Sequence, residues 1–107
     1  MSAPLDLAVA DDAMQAAHAI LLQLRERIAR ELRDYPYPIA GCDEAFKLLS
    51  LQRECCRVAI GGLASLDGLT RADAAEALRQ LTATPVPLAA SEIAALDLAA
   101  SRAGPAA

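Results

Sequence analysis

Apolar residues recur every three or four positions between residues 11 and 34, a spacing that predicts an amphipathic α-helix. Asp11 and Asp12 suit its first turn, because acidic side chains are favoured at the positive end of the helix dipole. The Tyr35-Pro36-Tyr37-Pro38 segment ends the helix, since proline lacks an amide donor and restricts the residue before it. The apolar stripe consists of Met14, Ala17, Leu21, Leu24, Ile28 and Leu32.

A second helix is predicted over residues 43–65, with Asp43 as its N-cap. Most of its circumference is apolar, and such a helix needs more than one packing neighbour. The Gly61-Gly62 pair in its last turns indicates a close helix crossing or a local break. Its narrow polar stripe consists of Lys47, Ser50, Glu54, Arg57 and Gly61.

Folding the first helix back on the second brings apolar side chains opposite one another. In an antiparallel pairing Ile28 lies opposite Leu49, and Leu21 lies opposite Cys56. The apolar stripes of the two helices, each identified separately, therefore face each other, which predicts an antiparallel helical hairpin.

The rest of the chain predicts shorter elements. A turn is expected over residues 66–69, and Thr70 to Asp73 is similar to a capping box, with Asp in place of the usual Glu or Gln. A third helix then covers residues 71–82. Pro85 and Pro87 end this segment, and Ser91 is the expected cap of a short fourth helix carrying Ile93 and Leu96.

The predicted fold class is therefore all-α, with a hairpin of residues 11–34 and 43–65 and one or two short C-terminal helices. With 107 residues the chain fits one domain. We expect an N-terminal arm over 1–10, a helical domain over 11–101 and a frayed tail over 102–107. Because the last helices are short and rich in alanine, dimerisation is expected to complete the bundle around helix two.

Charge argues against a nucleic-acid binder. The net charge is −4, from 14 acidic and 10 basic residues, whereas such proteins need a basic surface to displace counterions. The arginines between residues 25 and 33 are balanced by nearby carboxylates. Arg27 stands four residues before Glu31, and Arg30 four before Asp34, which are ion-pair spacings on a solvated helix face.

The sequence pattern also bears on two further protein classes, DNA-binding regulators and membrane proteins. A small DNA-binding regulator is the third candidate function, because region 69–98 is similar to a helix-turn-helix, although residues 91–101 contain no Arg or Lys to read a DNA groove. The longest uncharged windows, 13–24 and 80–91, are shorter than the ~20 apolar residues that cross a bilayer. No basic region precedes the first apolar run, so we expect a cytoplasmic protein that does not enter membranes.

The residues usually used in enzymes occur here without their supporting patterns. His18 is the only histidine, and no acidic residue stands three or four positions away to form a helical metal-ligand pair. We expect it to be a partly exposed structural residue. No Gly-x-Ser-x-Gly elbow or Gly-rich phosphate loop is present. We therefore expect no enzyme activity, metal or cofactor.

The three cysteines divide into two groups. Cys55 and Cys56 lie on the apolar arc of the second helix, where free cysteine acts as a small hydrophobic residue. Cys42 stands near a helix N-terminus, which can lower a thiol pKa, although Asp43 and Glu44 oppose that effect. Cys42 is thus the candidate reactive thiol of an alternative function, a thiol-based redox sensor or accessory protein.

Candidate interaction residues lie at the hairpin end and on helix two. Tyr35 and Tyr37 each precede a proline and suit protein recognition, although both rings could simply cover the open end of the hairpin. Gln52 lies on the apolar arc with Leu48 and Cys55, and its amide could meet its own copy across a two-fold axis. The sequence therefore favours a non-enzymatic helical interaction protein or accessory subunit that forms a homodimer through helix two, with another protein as a second candidate partner.

Overall fold

Four α-helices make up the fold in the computed structural model, which describes residues 12–35, 44–63, 65 and 67–103. These ranges contain no strand, so the predicted all-α class is confirmed. None of the four helices has the length and apolar character needed to cross a membrane. The helices are α1 (Asp12–Arg33), α2 (Glu44–Leu63), α3 (Gly68–Thr82) and α4 (Ala90–Ala103).

The helix α3 begins one turn earlier than its sequence predicts. Its N-cap is Asp67, whose carboxylate accepts a hydrogen bond from the Leu69 amide at 3.2 Å. The same carboxylate accepts the Thr70 hydroxyl at 2.8 Å. Thr70 therefore supports the cap and does not form it, because an Asx side chain here satisfies the first free amides of the helix.

The helix α4 is longer than the short segment expected from Ser91. The Ala89 carbonyl accepts the first helical hydrogen bond, from the Ile93 amide at 3.0 Å. The Glu92 carboxylate accepts the Ala89 amide at 2.9 Å, which is the return half of a capping box. Ala89 is thus the N-cap. Its methyl side chain cannot accept an amide of the first turn, so only the return bond of the capping box, from the Ala89 amide to Glu92, is formed.

Each helix packs against two others, and the contacts form a ring in which α1 and α3 both touch α2 and α4. Contacts between α2 and the α3 region run in opposite directions along the two segments: Gln52 meets Thr84, Cys55 meets Gln80, and Gly62 meets Ala74. The helices α2 and α3 are therefore antiparallel, as are α1 and α2 in the confirmed hairpin. The result is a four-helix arrangement around one core.

Leucine and alanine dominate that core. Small side chains let helix axes approach closely, and α2 and α3 approach each other closely at Gly62. A Cβ placed there would lie 2.7 Å from the Ala74 Cβ and 2.7 Å from the Thr70 carbonyl oxygen, whereas Gly61 has nothing within 4 Å. The predicted close crossing is confirmed at Gly62. The largest fully buried side chains are Met14, Leu21, Leu24, Ile28, Leu63, Leu78, Leu81, Leu96 and Cys56.

The apolar arc of α2 is covered mostly within the single chain. Its buried residues are contacted by α1 on one side and α3 on the other. Only Phe46 and Leu51 remain as large exposed apolar side chains of this helix. A second copy is therefore not needed to close the core, and dimerisation remains a prediction. The buried residues of α2 are Gln52, Cys55, Cys56, Ala59, Gly62 and Leu63.

Candidate interaction groove

An open groove of about 730 Å³ lies at one end of the bundle. It is bounded by the C-terminal half of α1, the N-terminal half of α2 and the segment between α3 and α4. We call it the hairpin groove. It is lined by Arg27, Ile28, Arg30, Glu31, Asp34, Tyr35, Ala45, Leu48, Leu49, Gln52, Pro85 and Pro87.

The structure brings three of the predicted interaction residues to this groove: Tyr35, Leu48 and Gln52. Cys55 lies one turn further along α2 and is buried. Tyr37 and the candidate thiol Cys42 lie outside the described residues. The groove is therefore where the recognition residues predicted from two separate segments meet.

An aromatic pair closes one edge of the hairpin groove. The rings of Tyr35 and Phe46 are 5.4 Å apart with an interplanar angle of 71°, the edge-to-face geometry that aromatic pairs prefer. Phe46 is 37% exposed, so this pair presents apolar surface to solvent. Phe46 is not among the interaction residues predicted from the sequence. It is the one aromatic besides the two tyrosines and lies in the first turn of α2, which is the signal that could have paired it with Tyr35.

The floor of the groove is apolar, with one buried amide. Ile28 is buried, and Leu48 and Leu49 are half-buried. The Gln52 amide nitrogen donates to the Thr84 hydroxyl at 3.0 Å, and that hydroxyl donates to the Leu81 carbonyl at 2.6 Å. Gln52 therefore has its partner within its own chain, and its burial does not require a second copy.

The rim of the groove is charged. Arg27 donates to the Pro87 carbonyl at 3.2 Å, which holds the segment between α3 and α4 against α1. The ion pairs that form among the described residues join Lys47 to Glu44, Arg57 to Glu54 and Arg79 to Glu76. The pairs suggested by the spacing of the α1 rim residues are not among them. The rim charges thus face the groove and solvent.

Both described cysteines are structural. Cys56 is fully buried and Cys55 is 4% exposed. Burial raises the pKa of Cys56 to about 11 and also raises the pKa of Cys55, with a smaller contribution from Glu54. The Cys55 thiol donates to the side-chain amide oxygen of Gln80, with 3.8 Å between Sγ and Oε1. Both groups are thiols at neutral pH, which makes them poor nucleophiles.

His18 is buried more deeply than its sequence context suggests, with 8% exposure. Desolvation lowers its pKa, and the charge of Arg25 lowers it further. In the part of the chain that the structure describes, no three His, Cys, Asp or Glu side chains come together as a metal site.

The fold and the groove define a small four-helix protein with a surface cleft of mixed apolar and charged character. No family model, curated protein or solved structure matches the chain. Its function is therefore inferred from the groove itself.

Proposed function

We propose that this protein is a non-enzymatic helical interaction protein that self-associates through the hairpin groove, to which α2 contributes Leu48. The observation that carries the proposal is the composition of the groove. Half-buried Tyr35, which packs against the exposed Phe46 ring, and half-buried leucines are bordered by four charged side chains, and protein interfaces combine an apolar centre with a polar rim in this way.

The other large apolar side chains on the surface support this choice of site by their distribution. Leu51 of α2, Leu69 of α3 and Leu98 of α4 are exposed but do not line the groove, and individual exposed leucines are ordinary on a protein surface. The hairpin groove is different because apolar residues from two helices and a proline-containing segment converge there. Charge at its rim would set the orientation of a partner.

The proposal is tested by sedimentation velocity on the whole chain from low to high micromolar concentration. We expect a concentration-dependent mass for the native sequence. Leu48→Glu should remain helical by circular dichroism but stay monomeric, because it places a charge on the apolar floor. Leu69→Glu is the matched control: it introduces the same charge at a site that is 79% exposed and outside the groove.

A native chain that stays monomeric throughout would contradict self-association. Equal loss of association in Leu48→Glu and Leu69→Glu would show that the effect is not specific to the groove.

A further inference from the structure

The four rim charges of α1 follow a symmetric order along the helix. Arg27 and Arg30 come first, and Glu31 and Asp34 follow. All four line the hairpin groove. The helical hydrogen bonding continues through this segment, with the Asp34 amide donating to the Arg30 carbonyl at 3.0 Å. The four side chains therefore form one ridge about 10 Å long, at ~1.5 Å per residue.

This order is self-complementary under a two-fold rotation. If a second α1 lies antiparallel on the ridge, with the axis between Arg30 and Glu31, then Arg30 faces the partner's Glu31. In the same register Arg27 faces the partner's Asp34. Each contact occurs twice, because a two-fold interface repeats every pair. A parallel, in-register alignment would instead place like charges together.

The ridge is available for such contacts. All four side chains are exposed, and among the described residues none of them takes part in an ion pair. Arg27 uses one donor for the Pro87 carbonyl, and a guanidinium group has five.

We infer that the occupant of the hairpin groove is a second copy of this chain, docked with the two α1 ridges antiparallel about an axis between Arg30 and Glu31. The inference rests on the proposed self-association and adds its register. The ionic ridge fixes the alignment, and the apolar surface beside Tyr35 and Leu48 is covered by the same contact.

Charge reversal tests the register directly. Arg30→Glu sets Glu against the partner's Glu31 twice, and Glu31→Arg sets Arg against the partner's Arg30 twice. Each single variant should weaken the homodimer roughly tenfold, since two attractive surface pairs become repulsive. The double variant Arg30→Glu/Glu31→Arg restores opposite charges at both positions and should recover the native dissociation constant.

A mixture of the two single variants gives the sharpest result. Each reversed chain carries two like charges, so the variants should form a heterodimer while each homodimer is weak. Arg33→Glu is the matched control, because it makes the same charge change on α1 outside the groove lining and should associate like the native chain. Added salt should weaken the native dimer.

The outcomes separate the two proposals. A native chain that associates, with Arg30→Glu behaving like Arg33→Glu or with no recovery in the double variant, overturns the register and leaves self-association standing. A native chain that is monomeric at every concentration overturns both.

Discussion

Gly62 and Ala74 bring α2 and α3 into contact with no room for another atom between them. A methyl group on Gly62 would lie 2.7 Å from the Ala74 Cβ and equally close to the Thr70 carbonyl oxygen. The carbonyl belongs to the backbone, so relieving the contact requires the helices to move apart. The small size of Gly62 thus sets the distance between these two helices.

We expect Gly62→Ala to destabilise the protein by about 1–3 kcal/mol, the usual cost of overpacking a tight contact. Gly61→Ala is the matched control, since the space beside it is open. It should be neutral or stabilising by up to about 1 kcal/mol, because alanine favours helix. Urea denaturation of the three proteins measures the difference. Equal stabilisation by both substitutions would show that the crossing is not tight.

The Gln52–Thr84 hydrogen bond predicts an asymmetry between two substitutions. Thr84→Val keeps the side-chain shape but leaves the buried Gln52 amide without its acceptor, which should cost about 1–3 kcal/mol. Gln52→Leu should cost less, because Thr84 can still donate to the Leu81 carbonyl. The double variant should lose less stability than the two single losses added together. Strict additivity in the unfolding free energies would argue against the bond.

His18 predicts a pH dependence of stability. Its pKa in the folded chain lies below the ordinary value of 6.5, so the unfolded chain binds a proton first as pH falls. The free energy of unfolding should therefore decrease as pH drops from 6.5 toward the lower folded pKa. Above this range the contribution of His18 to that free energy should be constant. Thermal melts at stepped pH measure it.

The control for this pH dependence is His18→Gln, which removes the only histidine. This substitution should remove the part of the pH dependence of the unfolding free energy that lies just below pH 6.5. An unchanged profile would assign the dependence to carboxylates.

Core truncation should separate the centre of the bundle from its edge. Leu21 is fully buried, and Leu21→Ala should cost about 2–5 kcal/mol. Leu49 is only half-buried, so Leu49→Ala should cost less than Leu21→Ala. Leu69→Ala is the control and should stay within about 0.5 kcal/mol of the native protein. If Leu21→Ala lowers the free energy of unfolding by less than about 1 kcal/mol, α1 and α2 do not pack against each other at Leu21.

Thiol labelling should report the burial of Cys55 and Cys56. In a Cys42→Ser background these two remain, and both should react with maleimide slowly in the folded chain and fully in denaturant. Their raised pKa values add to the steric protection. Fast labelling under native conditions would contradict the packing of α2 against its neighbours.

Periodic spacing predicted the long helices well, because the apolar repeat that marks the buried face of α1 is contained in its local sequence. Met14, Leu21 and Ile28 are all buried as expected. The start of α3 was misplaced, since Asp67 and Thr70 are both acceptable caps and only the folded backbone selects between them. The partner of Gln52 could not be foreseen, because Thr84 lies 32 residues away. The groove likewise depends on how three distant segments meet.

The ring of helix contacts has a consequence for synthesis of the chain. Of the four described helices, α1 comes first along the chain, yet it packs against α4, which follows the other three. Nascent chains that end before residue 90 therefore lack α4. The surface of α1 that packs against α4 stays exposed in them, even when the hairpin has formed. We expect the bundle to close only once α4 has been synthesised and has left the ribosome, and a premature stop before α4 to yield a product that proteases remove rather than a smaller working version.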